Sequence, residues 1–242
     1  MTDINQDSLR QRLDSALDEM VNRFYREVPY AQNLRTGKDL DLDYLRRHTI
    51  EIILRLRMKR TVDSLAIRYF TKHDPVAAKA WSEYTAEEML HDAFFVKDLE
   101  KMGVSRDTIY ATEPMFATKI QIGYYYCALE HEEDPMALLT SVYFMEYVTT
   151  RTQPEWIDNM ERSVGTDKVR GARTHVNRDI DDKHPDFVWR VLSSMMRSEA
   201  DIQRMFRHLD AVYRLWELFF IELYQSTVAA KQSSRTVTAQ AS

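Results

Sequence analysis

Along most of the chain, apolar residues return every three to four positions, the period of a helix with one buried face. From Ser8 to Val28 the stripe is Leu9, Leu13, Leu17, Met20, Val21 and Phe24, and Pro29 ends it. The stretch from Asp43 to Phe70 keeps the pattern without Gly or Pro until His73-Asp74-Pro75 breaks it and opens the next helix. That third helix is expected from about Val76 to Met102, closed by Gly103. Pro114 opens a segment to His131, Asp134-Pro135 opens one to about Arg151, and Gln153-Pro154 starts a short helix ending near Gly165. Thr166 to Lys183 reads as a further helix, Pro185 marks a break, and Asp186 to Gln225 is long and aromatic along one face. Ser226 to Ser242 is small, polar and aperiodic, and is expected to be a disordered tail. The pattern predicts an all-α protein, a single-domain bundle of about seven to eight helices over residues 1–225.

Composition agrees with this picture. The 242 residues, 44% of them hydrophobic, are enough for one large core, and only 5 Gly and 6 Pro leave few turns for a β-protein. A balance of 33 Lys and Arg against 38 Asp and Glu, with no basic block, argues against a nucleic-acid surface. Cys127 is the only cysteine, so no intrachain disulfide forms. The start Met1-Thr2-Asp3-Ile4 lacks the basic and apolar regions of a signal peptide, and no window approaches the ~18 apolar residues of a membrane span. A cytoplasmic protein away from the membrane, with a small-molecule substrate, is therefore expected.

The chemistry begins in Ala86-Glu87-Glu88-Met89-Leu90-His91-Asp92. On a helix, Glu88 and His91 stand one turn apart on one face and can reach the same ion, which makes half of a metal site. A dinuclear site in a bundle needs further acids pointing inward. Glu146 sits alone in Leu138-Leu139-Thr140-Ser141-Val142-Tyr143-Phe144-Met145-Glu146-Tyr147-Val148, where burial is costly unless the carboxylate is protonated or bound to a cation. Its blander reading is the one wet side of an apolar helix. His175, Asp179 and Asp182 fall at i, i+4 and i+7, although Arg173, Arg178 and Lys183 among them also fit a solvated face. Glu51 is an acid within Thr49-Ile50-Glu51-Ile52-Ile53-Leu54, as a ligand or as an ion pair with Arg55.

One Glu-x-x-His motif followed by a His-x-x-x-Asp-x-x-acid run resembles the heme oxygenase-like di-iron oxidases and oxygenases. The resemblance runs from the second helix to about Asp182, and is most specific at Glu87-Glu88-Met89-Leu90-His91-Asp92 with the later Lys101-Met102-Gly103-Val104. It implies two Fe(II) ions, O2 as co-substrate, and oxidation of nitrogen or of C–H and C–C bonds in small amines, amino acids or fatty acids of specialised metabolism. By the same resemblance Glu51 is a terminal carboxylate, Glu88 and His91 are ligands, Glu146 is shared between the metals, and His175 and Asp179 open the last motif. The family has histidine at the third position of that motif, where this chain has Asp182. His184 lies off the helical register and substitutes only if the helix is distorted before Pro185.

Spacing around these ligands makes Tyr84, Tyr143 and Met58 candidate substrate contacts, and Arg55 and Arg151 candidate partners for a substrate carboxylate. Two metal-free enzymes of the same fold are competing readings: a thiaminase-like hydrolase using Cys127 with His131 at i+4, and a cofactorless oxidase. A non-catalytic reading makes Leu215-Trp216-Glu217-Leu218-Phe219-Phe220-Ile221 a partner groove or a homodimer seam.

Overall fold

The computed structural model describes residues 4–233, and among them the chain is helical with no strand. In chain order the helices are α1 (Gln6–Glu27), α2 (Ala31–Thr36), α3 (Leu42–His73), α4 (Pro75–Glu88), α5 (Asp92–Lys101), α6 (Arg106–Ala111), α7 (Phe116–Tyr126), α8 (Met136–Val164), α9 (Arg170–Asp181), α10 (His184–Ser194) and α11 (Glu199–Tyr224). Polar caps start several of them: Asn5, Asp41, Asp74, Ser105 and Ser198 each accept a first-turn backbone N–H, and Pro75 follows its cap directly. The long α3 packs on α4, α5 and α7, while α8 packs on α1, α2, α9, α10 and α11. No helix among the described residues is long and apolar enough to cross a membrane.

Several boundaries differ from those the sequence pattern predicts. The expected long run from Asp186 to Gln225 is two helices, α10 and α11, parted at residues 195–198. The expected helix from Val76 to Met102 is two, with a turn at Met89–His91 held by three-residue hydrogen bonds such as His91 N–H to Glu88 O (3.2 Å) and Phe94 N–H to His91 O (3.1 Å). Conversely, Pro154 starts no helix: α8 runs through it, because the buried face continues through Thr152, Trp156, Ile157 and Met160 and tertiary packing outweighs the lost N–H. α9 ends at Asp181, short of the expected Lys183. Finally, α11 passes through a π-turn at Gln225–Ala229 and stays helical to residue 233, where Lys231 pairs with Asp41 (2.8 Å) and Asp43 (2.6 Å) at the start of α3. The rest of the expected tail, residues 234–242, lies outside the described residues.

The aromatic run of α11 faces inward. Trp216 and Phe220 nest with Phe24, at ring-centroid distances of 4.1 and 4.8 Å, and Phe219 is buried as well. Its three aromatic residues are thus core, which corrects the reading of the run as a partner surface; Leu218 is exposed, and Leu215, Glu217 and Ile221 are half-buried. A second apolar cluster, including Ile53, Leu54, Phe95 and Leu99, joins α3 to α5.

One contact sets the position of α9. Buried Asp98 on α5 accepts from the backbone N–H of Gly171 and of Ala172, both at 2.8 Å, capping the first turn of α9 from another helix. The approach is close enough that a Cβ on Gly171 would fall 2.0 Å from the Phe94 carbonyl oxygen, so only glycine fits. Asp98→Ala is therefore expected to lower unfolding stability by about 1–2 kcal/mol, as loss of a helix cap does. Urea denaturation followed by circular dichroism checks this, and an unchanged midpoint would show that α9 is held elsewhere.

Candidate metal centre

Five elements deliver polar side chains to one buried point: Tyr84 and Glu88 from the end of α4, His91 from the following turn, Glu146 from α8, His175 and Asp179 from α9, and His184 from the first position of α10. The last of these depends on a chain reversal. Proline opens a helix readily but does not continue one, so α9 stops before Pro185. Lys183 takes a left-handed conformation (φ 54°) and α10 restarts at His184, whose ring is turned inward to 2% exposure while Asp182 is left on the surface. Asp182 therefore does not enter the cluster, and His184 stands in the place the motif gives to its third residue.

The distances are those of groups converging on ions. Ligand atoms sharing one ion at ~2.1 Å stand roughly 3–4 Å apart. Glu88 Oε1 lies 3.0 Å from His91 Nδ1 and 3.5 Å from His184 Nδ1. His184 Nδ1 is also 3.5 Å from Asp179 Oδ1 and 3.6 Å from Glu146 Oε2, and His175 Nδ1 is 3.0 Å from Asp179 Oδ2. Two groups form, Glu88/His91/His175 and Glu88/Asp179/His184, each with ligand atoms within 4.8 Å of one another. Glu88 belongs to both. Glu146, which the family resemblance makes the shared carboxylate, belongs to neither group.

These atoms also lack ordinary partners. Glu88 Oε1, His91 Nδ1, Glu146 Oε2, His175 Nε2, Asp179 Oδ1 and both ring nitrogens of His184 are buried without a hydrogen bond. Native proteins rarely leave one such atom unsatisfied, so a collection facing one point is a candidate cation site. Carboxylates and imidazoles together suit iron, manganese or zinc, and the residues present fit a pair of such ions. Outer contacts fix the rings and carboxylates: Tyr84 donates to Glu146 Oε1 (2.5 Å), which leaves Oε2 free, and Glu87 faces Nε2 of His184 at 3.4 Å.

Charge in the cluster is finely divided. Burial resists ionisation of Glu88, yet His91 and His175 hold its pKa below the usual range. For Glu146, burial prevails, with Asp179 and Glu88 adding repulsion, and its pKa is raised. His184 resists charging through burial, but Glu146, Glu88 and Asp179 raise it to about 9. The Tyr84 phenol, buried beside Glu146 and Glu88, stays protonated and able to donate.

Other sequence candidates are placed elsewhere. Glu51 is fully buried, but its carboxylate is taken up by Arg47 (2.7 Å), the Met115 N–H (3.1 Å) and the Thr118 hydroxyl (2.6 Å), so it anchors α7 to α3 and is not a ligand. Tyr143 turns to α1, donating to Asp14 (2.6 Å). Arg151 is exposed against Tyr147, and Met58 packs on the core; neither lines the cavities at the cluster. Cys127 is exposed, as is His131, and it too lines neither cavity. Two residues escaped the sequence reading. Asp63 is buried near the cluster with its pKa raised by burial, and Lys59 pairs with it at 2.7 Å; their i,i+4 spacing looked like any surface pair.

Two chambers of about 70 Å³ each adjoin the cluster. The carboxylate chamber is lined by Lys59, Tyr84, Glu88, Glu146 and Asp179, the aromatic chamber by His48, Trp156, Trp216, Phe219 and Phe220. Arg55, Met145, Thr149 and His175 line both. Since a water needs only ~10–15 Å³ in this measure, each chamber holds several atoms of a small molecule.

No protein-family model matches the chain, and no curated protein matches it. Solved structures do. A domain of unknown function with a heme oxygenase-like fold from Shewanella denitrificans superposes with a TM-score of 0.77 at 15% identity, over 92% of this chain and 93% of that one. A CADD-like protein of unknown function from Nostoc punctiforme gives 0.67 at 14%, over 90% and 99% of the two chains. A TenA homologue from P. horikoshii gives 0.69 at 12%, over 90% and 98%. The chain has the heme oxygenase-like fold.

Two expectations follow from the geometry. His184→Ala is expected to weaken Mn(II) or Fe(II) binding by more than roughly tenfold, the scale of losing even a supporting group at a metal, while Asp182→Ala leaves it unchanged; calorimetric titration distinguishes them, and the reverse result would place Asp182 in the cluster. His48 is buried, and burial, with Arg55 nearby, lowers its pKa from 6.5 to about 3. The unfolded chain then binds a proton below pH 6.5 that the folded chain refuses, so stability falls on acidification from 6.5 towards 3 by up to about 1.4 kcal/mol per pH unit. His48→Gln should remove that part of the slope in denaturation series, and parallel slopes in both proteins would show that His48 is free to titrate.

Proposed function

We propose that the protein is a non-heme di-iron, O2-dependent oxidase or oxygenase. Its substrate is a small amine, amino acid or amino-acid derivative of specialised metabolism, and the reaction is N-oxygenation or oxidative cleavage of a C–C, C–N or C–H bond. The reading is supported by Glu88 belonging to two ligand groups at once, since a carboxylate common to both would suit a pair of ions. Iron held by Glu88, His91, His175, Asp179 and His184, with Glu146 beside them, supplies activation of O2. The chain's own side chains do the rest. Tyr84 keeps Glu146 turned towards His184, and Glu87 and Asp179 contact the rings of His184 and His175. The aromatic wall of Trp156, Trp216 and Phe220 gives an apolar group a place to lie.

The metal-free alternatives find less support. A hydrolase of the thiaminase type needs its cysteine in the chamber, and Cys127 is on the surface. A cofactorless oxidase gains nothing from three converging carboxylates, each with one buried oxygen left without a hydrogen bond. A binding protein presenting the α11 aromatics would leave them exposed, and they are core.

Protein made in iron-supplemented medium is expected to carry about two irons per chain, one for each ligand group. Incubated under reducing conditions with a panel of amines, amino acids and their derivatives, it should consume O2 with a matching substrate, and removal of iron should abolish this. Failure to take up iron under any reducing condition, or equal turnover after iron removal, would contradict the reading.

A further inference from the structure

Helix α3 carries many basic residues, and most have an acid. Arg46 pairs with Asp43, Arg47 with Glu51, Arg57 and Arg60 with Asp92, Lys59 with Asp63, and Arg68 with Glu130. Among the described residues two have no carboxylate partner: Lys72, exposed in the last turn, and Arg55, whose Nη1 makes a weak contact to Met145 Sδ at 3.6 Å. Glu51, one turn before Arg55, is already saturated by Arg47, Met115 and Thr118. Neutral His48 offers no charge to balance it.

Its surroundings make that isolation costly. Arg55 is half-buried, and its partial removal from water lowers the pKa of the guanidinium, so the unpaired charge is held there at some cost. Arg55 also lines both chambers, at their common wall with Met145, Thr149 and His175. A planar fork of N–H donors in a largely apolar recess, beside a metal-ligand cluster, matches one ligand group above others: a carboxylate, which accepts two parallel hydrogen bonds.

We propose that Arg55 is the substrate-anchoring residue and that the substrate is a small monocarboxylate with an apolar body, its carboxylate bound to Arg55 between the two chambers. This deepens the di-iron reading and rests on it for the word substrate, but the binding it describes needs no metal. The apolar body occupies the aromatic chamber against Trp156, Trp216 and Phe219. The atoms next to the carboxylate, rather than the far end of the body, then lie towards Glu88 and Glu146. Chambers of this size suit an acid with a few carbons beyond its carboxylate or with a single ring.

The test uses full-length protein freed of metal by dialysis, so that no acid can bind through an ion. Calorimetric titration compares 3-phenylpropanoate, hexanoate, L-phenylalanine and L-leucine with their carboxamides. At least one acid is expected to bind, its amide roughly a hundredfold more weakly, because the amide leaves the guanidinium charge unpaired. Arg55→Gln should abolish the preference for acid over amide, and Arg55→Lys should keep part of it. If Arg55→Gln does not fold, the acid and amide titrations of the unaltered protein and of Arg55→Lys still decide. Equal binding of acid and amide, an unchanged preference in Arg55→Gln, or no binding by any acid of the panel overturns the proposal. Iron uptake and O2 consumption are measured separately, so loss of the Arg55 assignment leaves the di-iron reading standing, and loss of iron uptake with acid binding intact does the reverse.

Discussion

Bringing the carboxylates of Glu88, Glu146 and Asp179 to 3.5–3.6 Å from one imidazole nitrogen, His184 Nδ1, is unfavourable by several kcal/mol for each buried charge left uncompensated, and the arrangement of helices around them answers that repulsion. Three imidazoles approach the same point, and a tyrosine hydroxyl takes one oxygen of Glu146. Even so, buried oxygens and nitrogens remain without hydrogen bonds. A core that wanted only stability would hold apolar side chains here, as α8 does on either side of Glu146.

That requirement explains features of the backbone which are otherwise unfavourable. A straight helix from α4 into α5 would keep Glu88 and His91 one turn apart, but the turn at Met89–His91 is what starts α5 afresh, so that Phe95 and Asp98 face α9. Asp98 and Gly171 then lock α9 against α5, fixing His175 and Asp179. Lys183 accepts a left-handed conformation that disfavours an L residue by roughly 1 kcal/mol or more, and in return His184 faces inward. The three devices lie on different elements and serve one point in space.

Much of this was legible in the sequence. The helical period and scarce Gly and Pro indicated an all-α bundle, and the lone Glu146 in an apolar run and the Glu88/His91 spacing indicated where inward polar groups sit. What the period could not tell was which of two acids in apolar surroundings is satisfied: Glu51 looks like Glu146 along the chain, yet finds donors from Arg47, Met115 and Thr118, the last two of them far off in sequence. Nor does spacing reveal a chain reversal. Pro185 announced a break, but only the left-handed Lys183 decides that His184 and not Asp182 turns inward. Pro154 misled in the other direction, because packing carried α8 through it. The unpaired state of Arg55 is likewise a property of the packed structure, since on the chain Glu51 stands four residues before it as a ready partner.

The central claim is that two ions share Glu88, with His91 and His175 on one side and Asp179 and His184 on the other. The most direct test is a crystal structure of the iron-loaded protein with anomalous scattering recorded at the iron edge. The account predicts two anomalous peaks flanking the Glu88 carboxylate, with His184 among the ligands and Asp182 and Glu51 away from both. A single peak not touching Glu88, peaks bound by Asp182 or Glu51, or no iron at the cluster would contradict it.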